Sequence, residues 1–423
     1  MRITDIKYVN NAAETSLSEK RKGSRYPEKR GAREHSFFRT TPARVSAVLS
    51  LILLLMAVKP AAACTTAIVS AGASESGRPM IWKQRDAAGE FNTIAYVRGE
   101  KYGYTALLPS AKSTARAYAG INEVGFAIAN NLSYNLRPDS LGFDTNNGEM
   151  MALALGTCRT LEDFTALLES DARPDALSAN FCVIDACGGA AYFEVSDTSF
   201  VRFDVPRGGY LFRTNYSLSG DEGRGKGFAR YATMEQLMRK KGFGFTPGYF
   251  FRVGRAFINV LNGGDALRWR CSGYLYEHDF IPRSTTASSI VIEGVAKGDA
   301  ADAGVMWCAP GYTPTCYAVP VWVAAGEDIA PIVSGDAPAN QLAVEVKHSL
   351  SPFTWPGGAK YLKVKELRRV LRLVRRAERR ELKAGRKLDR AFREGGFDAA
   401  AVAEYNAAAS ARFASFKDKI LKP

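Results

Sequence analysis

Histidine is scarce in this chain: three occur in 423 residues, His35, His278 and His348, and they stand far apart without a motif. No CxxC pair and no Cys/His cluster is present, which excludes the usual zinc-ligand spacings. The apolar run Val45 to Val58 is fourteen residues long and would span about 21 Å, short of the roughly twenty residues a bilayer crossing needs. No repeat of solenoid length is visible. Net basic charge is missing from the middle of the chain. The net +14 divides into +7 for residues 1–63 and +11 for residues 360–423, leaving −4 between them. That distribution gives no reason to expect a nucleic-acid-binding core.

What is present begins with a leader. Met1 to Arg44 is polar and basic, Val45 to Val58 is apolar, and Ala61-Ala62-Ala63 follows, the order of a signal peptide ending at an Ala-x-Ala site. Residues 1–63 are therefore expected to be removed by signal peptidase, with an exported, periplasmic or secreted product. The next residue is Cys64. A cysteine in that place has three readings: a lipid anchor, which Ala61 disfavours because a larger aliphatic residue normally stands three before the lipidated Cys; a disulfide partner; or an N-terminal nucleophile. The third is chemically coherent. A free α-amine has a pKa near ~7.7, so the residue carries its own base for the thiol, and the thiolate is the reactive form.

Seven cysteines occur, Cys64, Cys158, Cys182, Cys187, Cys271, Cys308 and Cys316. In an exported chain Cys308 and Cys316 are the best candidate pair, with buried free thiols as the alternative. From Cys64 to about Ala325, short β-rich runs such as "TTAIVS", "RPMIWKQ", "AAYFEV" and "SSIVIEGV" alternate with Gly, Pro and Asn turns. Helical spacing marks "NGEMMALALGTC", "TLEDFTALLESD" with Thr160 as its cap, "ARYATMEQLMRKK" and "YFFRVGRAFINVLN". Hairpins, then helices, then hairpins predict an α+β fold with antiparallel sheets. Residues 361–394 predict a long basic helix with Leu367, Val370, Leu371, Val374 and Ala377 on one stripe. Its charged face is either solvated or in contact with an anionic membrane surface or acidic partner. The aromatics Tyr249-Phe250-Phe251 and Trp269 are either core or the lining of an acyl pocket.

The ordered motifs "ACTTAIVS", "SGRPMIWKQRD", "AGINEVGFAIANNLSYN", "NFCVIDACGGAAYFEV", "FRTNYS", "GFARY" and "YAVPVWV" resemble those of N-terminal-nucleophile hydrolases. The group is that of choloylglycine hydrolase, penicillin V acylase and acyl-CoA:6-aminopenicillanate acyltransferase, the linear amide C–N hydrolases. The resemblance implies a four-layer αββα sandwich with a long C-terminal helical arm, in three parts: leader 1–63, catalytic domain 64–355 and basic extension 356–423. It implies Cys64 as nucleophile and Asp86 as the carboxylate that orients its amine. Asn215 and Asn131 would be oxyanion donors, with Asn130 as an alternative register, and Arg230 a support for the nucleophile. The family typically reads Arg-x-x-Asp where this chain has Lys83-Gln84-Arg85-Asp86, so Lys83 or Arg85 would supply the cation. The implied activity is cleavage of an N-acyl amide through an acyl-Cys64 thioester, without metal or organic cofactor. Acyl transfer to an amine, dipeptidase activity and a lipid-anchored non-catalytic binding protein are the alternatives, and relatives are often homo-oligomers.

Overall fold

The computed structural model describes residues 63–422, apart from 110–112, 137–144, 269–272, 278, 352 and 355–359. The leader before Ala63, Trp269, Cys271 and His278 lie outside the described residues.

Two antiparallel sheets carry the fold. The first has six strands in the order Tyr210–Arg213, Cys64–Val69, Met80–Asp86, Thr286–Glu293, Val305–Ala309 and Val319–Trp322. The second is a seven-stranded meander in chain order from Thr93–Arg98 to Phe200–Asp204. The sheets face each other through Cys64–Val69, Met80–Asp86, Ala127–Leu132 and Ala179–Ile184. Their apolar filling includes Ile68, Ile81, Ala129, Cys182 and Ile290. Helices Asn147–Thr157 and Leu161–Glu169 cover the outer face of the seven-stranded sheet over Met150, Leu155, Phe164, Phe181 and Phe193. Helices Phe228–Lys241, Pro247–Val253 and Val364–Gly395 cover the outer face of the other. The architecture is thus the expected four-layer αββα sandwich.

Local chemistry explains the elements. Thr160 caps its helix in a reciprocal capping box with Asp163, which satisfies two otherwise orphaned N–H groups. The segment "YFFRVGRAFINVLN" is helical only to Val253, because the backbone turns at Gly254, whose carbonyl accepts a bond from Gln84 Nε2 at 3.1 Å. Tyr249, Phe250 and Phe251 are buried, and Phe250 stacks on Trp82 at 5.4 Å on the helix side of the sheet. They are core, not the lining of a pocket at Cys64. The Cys308–Cys316 pairing is corrected: both thiols are free and buried, and Cys308 Sγ lies 3.3 Å from Met306 O. A hydrophobic core needs no cross-link at this point, and burial pushes the Cys316 thiol up to about 12.

The predicted basic helix is real and begins three residues later, after the short strand Lys360–Lys363. Leu367, Val370, Leu371 and Val374 are buried and Ala377 packs beside them. Beyond Ala377 the inward stripe turns acidic. Glu378 pairs with buried Arg255 (2.5 and 2.7 Å), Glu381 with Arg412 (2.6 and 2.8 Å), and Asp389 with buried Arg78 (2.7 Å). A second helix, Ala399–Leu421, packs against the first and buries Phe413, Phe416 and Ile420.

Candidate active site

Antiparallel register builds the site. Cys64 is the Cα partner of Arg85, and Thr66 of Lys83, so alternation puts all four on one face of the six-stranded sheet. That face looks at the other sheet: Lys83 Nζ donates to Tyr118 O (2.6 Å) and Asn130 Oδ1 (2.7 Å), and the Arg85 guanidinium lies 3.7 Å from the Tyr118 ring centroid. Arg85 also donates to Asn92 Oδ1 at 3.0 Å. Cys64 is 7 % exposed and Ala63 4 %, so the Ala63–Cys64 bond is enclosed by the fold.

Around Cys64 the polar contacts converge. Its backbone N–H donates to Asn215 Oδ1 at 2.8 Å. Arg230 Nη1 donates to Cys64 O (2.5 Å) and Thr65 Oγ1 (2.8 Å), and Nη2 donates to Asn215 Oδ1 (2.8 Å). Two donors on Oδ1 fix the orientation of the Asn215 amide, and its Nδ2 donates to Leu132 O at 2.8 Å. Arg230 is held by a tight turn: Gly227 has φ +89°, and a Cβ there would come within 2.4 Å of Arg230 Nη2. Only glycine suits both demands. Burial, with Arg283 nearby, brings the Arg230 pKa down to about 10, so it stays charged at neutral pH.

Asn131 faces the same gap. It accepts from Thr66 Oγ1 (2.5 Å), which in turn accepts from Tyr192 OH (2.9 Å), and Asn131 Nδ2 donates to Thr214 O. Asn130 instead serves Lys83. Burial lowers the Lys83 pKa to about 8, with the neighbouring Arg85 adding to the effect and Cys64 opposing it.

Asp86 is arranged differently from the expectation that it holds the Cys64 nitrogen. That nitrogen belongs here to the Ala63–Cys64 peptide, and its single hydrogen goes to Asn215. The Asp86 carboxylate accepts from Thr286 Oγ1 at 2.6 Å and lies 3.5 Å from Arg283 Nε, while its backbone carbonyl is 3.9 Å from Cys64 Sγ. A β-bulge at Ala287 shifts the register between Thr286, which faces Asp86, and Ser288, which faces Arg85. This re-aims Thr286 at the carboxylate. Burial outweighs the cations and raises the Asp86 pKa to about 6.

That shift has a measurable sign. An acid whose folded pKa lies above its unfolded value holds its proton longer in the native state. Its contribution is complete below pH 3.8 and is lost as the pH rises through about 6. The full span is worth roughly 3 kcal/mol. The stability of the parent relative to Asp86→Asn should therefore fall by up to roughly 3 kcal/mol as melts are run from pH 4 to pH 7, in the variant's favour. A relative stability of the parent that is flat or rises over that range refutes the assignment.

Sequence reasoning missed Arg283, Thr286, Tyr134 and Glu194. Tyr134 is buried, its hydroxyl pushed up to about 12 by burial and by nearby Cys64. Glu194 is buried against Arg213 (2.7 Å) and accepts from Leu218 N, Ser219 N and Ser219 Oγ, so it braces the loop after Asn215. Glu194 and Arg213 sit inside the quoted motifs "AAYFEV" and "FRTNYS", where charge in buried strands was a usable signal; "IPRSTT", which holds Arg283, has no comparable mark.

Residues 74–241, less than half of the chain, match the family model of acyl-coenzyme A:6-aminopenicillanic acid acyl-transferase. No curated protein matches. Among solved structures, the Caenorhabditis elegans ortholog of N-acylethanolamine-hydrolyzing acid amidase is 14 % identical, covering 56 % of this chain and 96 % of its own, at a TM-score of 0.39. A mutant of conjugated bile acid hydrolase from Clostridium perfringens is 11 % identical (62 % and 92 % covered, TM-score 0.37). Penicillin V acylase from Agrobacterium tumefaciens is 15 % identical (62 % and 86 % covered, TM-score 0.36). At these TM-scores the structural likeness carries no argument about this chain. The matched residues include Lys83, Arg85, Asp86, Asn131, Asn215 and Arg230, and Cys64 lies ten residues before them.

Proposed function

We propose that the chain acts on linear amide bonds, by hydrolysis or acyl transfer, and that hydrolysis of an N-acyl amide through an acyl-Cys64 thioester is its main reaction. The observation that carries this reading is the double grip on buried Cys64: Asn215 Oδ1 on its nitrogen and Arg230 on its carbonyl.

In the cleaved protein the Cys64 nitrogen is a free amine, and its lone pair accepts the thiol proton. The thiolate attacks the substrate carbonyl carbon and the C=O pair moves onto oxygen. That oxyanion needs fixed donors and cations in a dry site; Asn215 Nδ2, with Asn131 or a nearby backbone N–H, would donate to it, and the Lys83 and Arg230 cations both act electrostatically on Cys64. Collapse expels the amine, which takes the proton from the Cys64 ammonium, and leaves the thioester. Water attacks the thioester, passes its proton back through the amine, and releases the carboxylic acid and the thiol. An acceptor amine in place of water gives acyl transfer.

The test is the intact mass and N-terminal sequence of the protein recovered from an exporting host. A chain starting at unmodified Cys64 is expected. A lipidated Cys64, or a mature end elsewhere, overturns the mechanism.

A further inference from the structure

The long helix Val364–Gly395 presents a field of one sign. From Arg372 to Arg390 its exposed charged residues are Arg372, Arg375, Arg376, Arg379, Arg380, Lys383, Arg386, Lys387 and Arg390, with no exposed acid among them. The reason is structural: the acids of this stretch, Glu378, Glu381 and Asp389, are turned inward and paired with Arg255, Arg412 and Arg78. At the α-helical rise this stretch makes a ridge about 27 Å long. Among the described residues, the one ion pair made by these nine cations is Arg386 with Glu75, at 3.9 Å.

Beside the ridge stands an apolar tip. Phe243 is 77 % exposed and is flanked by Gly242 (φ +71°) and Gly244 (φ +66°) at the end of the segment Arg239-Lys240-Lys241. This loop adjoins the ridge. Lys241 Nζ and Arg252 lie 6.0 and 5.9 Å from the centroid of the same Tyr249 ring. Arg252, Arg379, Lys383, Arg386, Lys387 and Arg390 line a common groove of about 510 Å³. The six of them meet no carboxylate among its lining residues.

We propose that this face docks on an anionic phospholipid surface, with the ridge over the headgroups and Phe243 inserted at their boundary. Basic segments are drawn to anionic leaflets, and a neighbouring exposed aromatic adds apolar insertion that a solvated polyanion does not reward. No described helix is long and apolar enough to cross a membrane, so the contact is peripheral.

The experiment uses the full chain with two sets of vesicles, pure phosphatidylcholine and phosphatidylcholine with about one third phosphatidylglycerol. Co-sedimentation is expected with the anionic vesicles, at least ~10-fold stronger than with the neutral ones, and largely lost at about 1 M salt, where the screening length falls to ~3 Å. The triple variant Arg379→Glu, Lys383→Glu, Lys387→Glu should lose binding. Phe243→Ser should weaken it several-fold with the salt dependence unchanged. Circular dichroism and thermal melts matching the parent confirm that both remain folded. Cys64→Ala should bind like the parent, which separates this proposal from the catalytic one. No sedimentation, equal binding to neutral vesicles, an unaffected triple variant, or retention by inorganic polyphosphate without vesicle binding overturns it.

Discussion

Cys64→Ala should turn over no N-acyl amide above background, and Cys64→Ser should fall by at least ~10³-fold, with the thermal midpoint of both close to that of the parent. Loss of a nucleophile that works as a unit with its base removes most of the rate enhancement. The replacements themselves are gentle, because the side chain is small and its closest polar contact is a 3.9 Å approach of Sγ to Asp86 O. Rates are read with a panel of N-acyl amides of varied chain length, and stability by melting. With slow substrates the parent should also show a mass increment equal to the acyl group on the peptide that begins at Cys64. Turnover retained by Cys64→Ala eliminates the thioester mechanism outright.

Arg230→Met should lower activity by about 10²- to 10³-fold and also destabilise the fold, the second effect distinguishing it from Cys64→Ala. The guanidinium satisfies Cys64 O, Thr65 Oγ1 and Asn215 Oδ1 at once. Methionine fills the volume but donates to none of them, so Cys64 O and Thr65 Oγ1 lose this donor while Asn215 Oδ1 keeps only the Cys64 N–H. Buried acceptors left without donors cost about 1–3 kcal/mol each, so a loss of roughly 3–5 kcal/mol is expected in urea denaturation. Arg230→Lys keeps the charge without the two-armed geometry; it should recover part of the stability and less than about a tenth of the rate. A fully active Arg230→Lys would show that charge, and not the paired contacts, is what the site requires.

Much of this was legible in the sequence because it rests on short-range rules. Strand alternation and turn residues marked most strands of both sheets, and the ordered motifs brought Lys83, Arg85, Asp86, Asn131, Asn215 and Arg230 together with Cys64. What escaped depends on distant partners. The buried strand Val305–Ala309 is apolar on both faces, so "VMWCA" shows no alternation. The helix Pro338–Leu350 starts after Ala337 at φ +46° with no capping side chain to announce it. Thr286 reaches Asp86 only because a bulge at Ala287 shifts the register. On the long helix, the stripe through Leu367, Val370, Leu371 and Val374 continues at Glu378, Glu381, Gly385 and Asp389, all buried. The spacing was readable; that acids could occupy it required arginines from elsewhere in the chain.

Those inward acids have a consequence for the order of events during synthesis. Arg78 and Arg255 leave the ribosome long before residues 378–389, and in the finished fold each is enclosed against a carboxylate from that late segment. An enclosed arginine without its partner is strongly unfavourable, by about 3–5 kcal/mol. Closing the early strands over these two side chains is therefore disfavoured until residues 378–389 are in place.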